Sequence, residues 1–346
     1  MVLRESVSLF QKATEGRPRY WFALAVTDTR LARLLMGSGS DEEALRFARD
    51  AAESHRLLAE EDPARSLADW AEALGLLAEA YQRAGRPIEA IDARSDQVDL
   101  YQQMVEADHT RHGEELADAL IELGGALTDN GDATEAIPVL DEALRVAHTL
   151  HDPAKEGFRW VYTCRGEAHQ LAGHLRQALD DFGQALEIDP DHVWALQSRA
   201  AAYRELGRHA DALADLERAT QLEPTNNWTR YQLAVARRCA GQTDEAARDL
   251  EEAIRQGLSE WEESADPHRV AFNLAVYHAA LGAWQEAERW CTRGLTEHAS
   301  PEQVRAALAD IAELRSVPGV EASLLDRLEC LLDAPPPAEF EVPIEQ

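Results

Sequence analysis

Three tryptophans stand at a fixed interval: Trp160, Trp194 and Trp228 are separated by 34 and 34 residues. Three residues after them come Thr163, Gln197 and Tyr231, and the matching position of the next segment holds Phe272. Arg204 and Arg238 follow Trp194 and Trp228 by ten residues and are again 34 apart. Offsets of 3, 7 and 10 return to one side of an α-helix, so each of these two tryptophans shares a face with its arginine. An aromatic ring offers a large apolar anchor point, and a guanidinium offers a fork of donors that matches a carboxylate. Together they would hold a segment carrying an apolar or aromatic anchor and an acid. A structural reading competes: the tryptophans wedge between helices, and the arginines pair with nearby acids such as Glu205.

Other chemistry finds less support. A phosphate-binding loop places glycines ahead of Lys-Ser or Lys-Thr, but Lys12 precedes Ala13 and Lys155 precedes Glu156. The GSGS at 37–40 follows a helical pattern rather than a strand and reads as a loop between helices. His109 and His112 with Glu114 and Glu115 have metal-compatible spacing, as do His148 and His151, but no third His or Cys ligand stands near. Glu60, Glu61 and Asp62 read as a solvated helix end. No catalytic residue, cofactor or metal site is therefore expected.

The elements that must position the aromatic residues are marked by glycines at 39, 85, 131, 173, 207, 241 and 282. Five residues after each is an alanine: Ala44, Ala90, Ala136, Ala178, Ala212, Ala246 and Ala287. Seven residues before each is a small residue: Ala32, Ala78, Gly124, Gly166, Ala200, Ala234 and Ala275. Glycine permits the positive φ of a helix end, and small side chains let two helices approach closely. Each copy therefore reads as a helical hairpin, and the apolar stripe it cannot cover alone requires stacking.

The middle copies, GEAHQLAGHLRQALDDFGQALEIDP from Gly166 and AAAYRELGRHADALADLERATQLEP from Ala200, resemble the tetratricopeptide repeat family. Phe182, Ala185 and Pro190, like Tyr203, Ala219 and Pro224, occupy positions which that family's pattern favours. The resemblance covers about residues 17–300 and implies an all-α, right-handed α-solenoid of about seven hairpins. Its groove would be lined by the tryptophan face and would bind a peptide or protein segment. Glycine spacings of 46, 46 and 42 in the first units, against 34 at the centre, predict lengthened helices there. Thr163, Glu167, Gln197 and Ala201 stand where some members carry a lysine and asparagine clamp for chain-terminal carboxylates, so that clamp is not expected.

Four segments follow: an N-terminal helix over 1–16, the solenoid over 17–300, two capping helices over 301–333, and a proline-rich acidic tail over 334–346. Ser300 and Gln303 form a capping-box pattern with Pro301 at the first helical position. The tail alternates Phe340, Val342 and Ile344 with acids, matching the ligand the Trp and Arg face would take, so its docking onto that face is one expectation. The other is a solvated end.

With 34 basic and 64 acidic residues the formal net charge is −30. This strongly acidic chain repels phosphate backbones and anionic lipid heads, which makes nucleic acid and membrane poor partners. Cysteines 164, 239, 291 and 330 show no paired spacing, and no long apolar run or leader pattern is present, which fits a reducing cytoplasm. The expected function is a non-enzymatic interaction scaffold. The alternative is a peptide-responsive regulatory sensor whose conformation changes on binding.

Overall fold

The computed structural model describes residues 21–108, 111–150, 157–264, 266–295 and 299–333. The expected N-terminal helix and the acidic tail lie outside these residues, as do His109 and His151. Among the described residues the chain is all-α, without strands, and forms an α-solenoid of hairpins. The hairpins pair α1 (Trp21–Gly37) with α2 (Asp41–Glu61), α3 (Pro63–Arg83) with α4 (Pro87–Ala107), and α5 (Gly113–Asp129) with α6 (Ala133–Leu150). They continue with α7 (Phe158–Leu171) and α8 (Leu175–Ile188), α9 (Val193–Glu205) and α10 (His209–Leu222), and α11 (Asn227–Cys239) and α12 (Thr243–Glu263). The seventh pairs α13 (Pro267–Leu281) with α14 (Trp284–Gly294), and α15 (Pro301–Glu313) and α16 (Ala322–Asp333) follow.

The turns form where the glycines stand. Gly173 has a φ of 75°, which lets its N–H donate to the Gln170 carbonyl at 2.9 Å. The His174 N–H donates to the His169 carbonyl at 2.8 Å, so the last carbonyls of α7 are satisfied as the chain reverses. All seven repeat glycines take positive φ.

Packing explains the other two columns. The alanines after the turns are buried in every hairpin. Among the small residues before the turns, a Cβ added at Gly166 would lie 2.5 Å from Phe182 Cε1, so the missing side chain is the space the ring fills. Burying such a phenylalanine contributes about 2–3 kcal/mol, and the glycine makes that possible.

Helix lengths follow the glycine spacing. The first six helices have 17–21 residues, against 13–14 for α7–α11. Seven extra residues add about 10 Å at 1.5 Å each. The expectation placed this extension in the first three hairpins alone, but α12 also has 21 residues. The wider interval between Gly241 and Gly282 is taken up by that helix rather than by a loop.

The chain divides into two compact units, one ending at His192 and one beginning at Val193. In the first, α1–α8 stack hairpin on hairpin. In the second, α9–α14 do the same, and the two last helices diverge: α16 packs on α14, whereas α15 packs on α13. The two helices expected to cap the stack both pack on the last hairpin and on each other. A regular continuation would lay α15 on α14; instead it lies on the side of the first helices of the hairpins.

Candidate functional site

In the first unit Trp160 begins α7 and is 42% exposed. Its ring meets the His192 ring edge-on with centroids 4.7 Å apart, and the Arg159 guanidinium lies 5.2 Å from the ring centre. Thr163, three residues on, is buried and turns its hydroxyl back to the Arg159 carbonyl at 2.7 Å. The indole is thus held from two sides while part of its apolar surface stays open to solvent.

In the second unit the first helices α9, α11 and α13 pack side by side. Trp194 on α9 is half-buried. Gln197, one turn later, donates to the Thr229 hydroxyl on α11 at 2.6 Å, tying the two helices together. Trp228 is also half-buried, with its ring 5.0 Å from Tyr231 and 6.3 Å from Tyr277. Tyr231 and Tyr277 stack with centroids 5.0 Å apart. Tyr277 donates to Asn227 Oδ1 at 2.6 Å, and Asn227 donates to Glu260 at 2.6 Å, so the stack is anchored at its polar end.

The two apolar members of the expected face are covered. Tyr231 is 4% and Phe272 3% exposed. Phe272 presses against Gly294 of α14, within its own hairpin. Tyr231 shares a core with Ala307 and Ile311 of α15 and with Leu314 just beyond it. Burial and the nearby Glu313 and Asp310 carboxylates push its hydroxyl pKa upward. As placed here, these two side chains build the face from beneath and offer little surface themselves.

The arginines face acids and carbonyls. Arg204, at the end of α9, meets Glu313 of α15 at 3.3 Å. Arg238, at the end of α11, donates to the Ala280 carbonyl of α13. Cys239 lies near both guanidiniums; burial nevertheless raises its thiol pKa. Arg204 thus faces a carboxylate and Arg238 a backbone carbonyl.

The start of α15 is fixed as well. Ser300 and Gln303 form the capping box, and Gln303 donates onward to Asp266 Oδ1, the cap of α13, at 2.8 Å. Asp310, farther along α15, is half-buried, and burial followed by Glu313 pushes its carboxyl up to about 7.

A second repeated constellation went unread in the sequence. Arg165 grips Asp181 with a forked pair of hydrogen bonds at 2.9 and 2.5 Å, and Arg199 grips Asp215 at 2.8 and 2.7 Å. Asp249 takes the same position in the next hairpin and accepts from Arg230 at 3.3 Å. The signal was present: Asp181, Asp215 and Asp249 are spaced by 34 and 34, each eight residues after its glycine. These pairs lock the two helices of a hairpin together.

Of the metal-compatible histidines, His112 faces Glu115 at 3.5 Å and His148 lies tilted against Phe158 with ring centroids 4.8 Å apart. Among the described residues no three His, Cys, Asp or Glu side chains gather as a metal site. Nor is any helix there long and apolar enough to cross a membrane.

Comparison with known proteins gives three family matches, each described as Tetratricopeptide repeat, at residues 115–191, 170–237 and 231–304. Together they run over 115–304, more than half of the chain. No curated protein matches the sequence. Among solved structures, the chain is similar to a tetratricopeptide repeat protein from Parabacteroides merdae ATCC 43184, with 17% identity, a TM-score of 0.44, and coverage of 76% of this chain and 98% of that one. It is also similar to MamA 41-end from Desulfovibrio magneticus RS-1, at 17% identity and a TM-score of 0.42, over 55% of this chain and 96% of that one. A third is YrrB, described as a TPR protein with an unusual peptide-binding site, at 23% identity and a TM-score of 0.39, over 62% and 92%.

Proposed function

Since this chain belongs to the tetratricopeptide repeat family, we propose that it is a non-enzymatic interaction scaffold that binds a peptide or protein segment on the first-helix face of its hairpins. The partner segment carries an apolar or aromatic anchor and a carboxylate. In the first unit the anchor meets Trp160; in the second it meets Trp194 or Trp228, and the acid meets Arg204 or Arg238. The observation that carries this reading is Trp160: a large aromatic left 42% exposed and braced by its neighbours, at the register shared by two other tryptophans. Exposed, preorganised aromatic side chains supply binding energy at small entropic cost. The net charge of −30 disfavours nucleic acid and anionic lipid as partners. Four unpaired cysteines agree with a reducing, cytoplasmic setting.

The test is a photo-crosslinking side chain placed at position 160 or 194, with Glu251 on the exposed side of α12 as control. The scaffold reading expects a discrete partner segment joined to position 160 in the first unit or 194 in the second, and none at 251. Equal labelling at all three positions would contradict it.

A further inference from the structure

Helix α15 lies where a ligand would lie. It leaves the stacking direction, seats on α13 instead of α14, and runs from the cap of α13 at Asp266 to the end of α9 at Arg204. Ala307 and Ile311, with Leu314 just past its end, form its apolar stripe, at intervals of four and three residues, and are sealed into the core that holds Tyr231 and Val235. Asp310 and Glu313, three residues apart, carry the acids of the adjoining stripe. The chain has therefore placed an apolar anchor and a carboxylate against the face that, by residue type and spacing, takes them.

We infer that α15 is an intramolecular occupant of the second unit's binding face, and that the partner is an amphipathic helix with the same stripe of apolar residues and flanking acids, which binds by taking its place. The inference rests on the scaffold reading and names the chemistry of the partner for that unit. Recognition is helix-in-groove: apolar residues at i, i+4 and i+7 bury against Tyr231 and Val235, and an acid at i+6 reaches Arg204. The charge match is specific, because a basic helix would set like charges against Arg204 and Arg238. Exchange is open at the Arg204 end, where the Glu313 side chain is 66% exposed, so a competing carboxylate approaches the guanidinium from solvent. The tether from Gly294 to Pro301 keeps α15 at an effective concentration of roughly millimolar, so the partner's apparent affinity falls by the fraction of time the face is open.

The test uses the full chain and, as probe, a fluorescent peptide with the sequence of residues 299–317. The wild-type chain is compared with the Ile311→Ala/Glu313→Arg double variant, which weakens the tethered helix and leaves the receiving face intact. Hydrogen exchange is expected to show faster exchange of the α15 amides in the variant, and the peptide is expected to bind the variant at least tenfold more tightly than wild type. A peptide carrying Glu313→Arg should bind the variant about tenfold more weakly, with binding recovered when Arg204→Glu is added to the chain. Unchanged α15 exchange in the variant would show that the helix is a fixed part of the core, and would overturn the inference. Faster α15 exchange without tighter peptide binding, or binding indifferent to the Arg204 reversal, would overturn it equally. The scaffold reading is judged separately by crosslinking at 160 or 194, and stands if a segment attaches there while the α15 peptide does not bind.

Discussion

Arg204 and Glu313, 109 residues apart in sequence, bring their charged ends within 3.3 Å. The contact joins the end of α9 to the end of α15, and it is made with a glutamate side chain that is mostly in solvent. Exposed ion pairs contribute about 0–1 kcal/mol, because the charges gain little over hydration. Glu313→Ala should therefore leave the melting temperature within about 2 °C of wild type, a shift corresponding to less than 1 kcal/mol in a protein of this size. A fall of several degrees in differential scanning calorimetry would make Glu313 a structural residue.

Asp28 is fully buried on α1, and neither carboxylate oxygen has a hydrogen-bond partner among the described residues. Burial, then the Asp50 charge, push its carboxyl up to about 7 from 3.8, against the lowering influence of Arg46. A raised carboxyl holds its proton more tightly in the folded chain than in the unfolded one. Its stabilising protonation is complete below about pH 4 and is lost as pH rises through 7. Asp28→Asn should gain stability over wild type across that window, reaching about 3 kcal/mol at pH 8. Urea midpoints of the two proteins at pH 4.5 and 8 check it, and a difference that does not grow with pH refutes it.

Two glycines in neighbouring repeats are required for different reasons. Gly207 has φ 68° with nothing within 4 Å of an added Cβ, so Gly207→Val suffers backbone strain alone and should cost about 1 kcal/mol or more. Gly166 is helical but faces Phe182, so Gly166→Ala forces the ring aside and should cost about 1–3 kcal/mol by overpacking. Trimming the ring should relieve the second and not the first. The double variant Gly166→Ala/Phe182→Leu should be less destabilised than the two single changes sum to, whereas Gly207→Val/Phe182→Leu should be additive.

Arg199 and Asp215 hold α9 and α10 together by a forked pair, with the Asp215 side chain 10% exposed. Removing one partner leaves a buried charge unsatisfied, so Asp215→Ala and Arg199→Ala should each cost about 2–3 kcal/mol. Replacing both should cost much less than their sum, and a double-mutant cycle by chemical denaturation reads the coupling. Additive losses would show that the pair contributes through packing of its alkyl portions.

The hairpins were legible because one residue type does one job at each register. Gly173 must take positive φ, Ala178 must be small, and Gly166 must leave room for Phe182, so three columns determine a turn and a close helix contact. The first-helix face was legible only as a face. Periodicity places Tyr231 beside Trp228, but what covers Tyr231 depends on where α15 settles, and an amphipathic pattern states that a helix needs cover without stating whose. The paired arginines and aspartates escaped notice for a related reason. Charges at regular spacing look like a solvated surface until the facing column, Arg199 opposite Asp215, is brought within reach by the fold.

Binding of a protein segment through the tryptophans of the first-helix face is a matter of affinity, separable from stability. The most direct measurement is the affinity of the crosslinked partner segment, by titration calorimetry, for wild type, Trp160→Ala and Trp194→Ala, with a melting curve of each chain. A segment bound on the first unit should bind Trp160→Ala at least tenfold more weakly, and one bound on the second unit should bind Trp194→Ala at least tenfold more weakly, with melting temperatures within about 2 °C of wild type, since neither indole is fully buried. Undiminished affinity, or a loss of binding that only follows a loss of about 3 kcal/mol in stability as for an emptied aromatic core site, would contradict binding through the tryptophans.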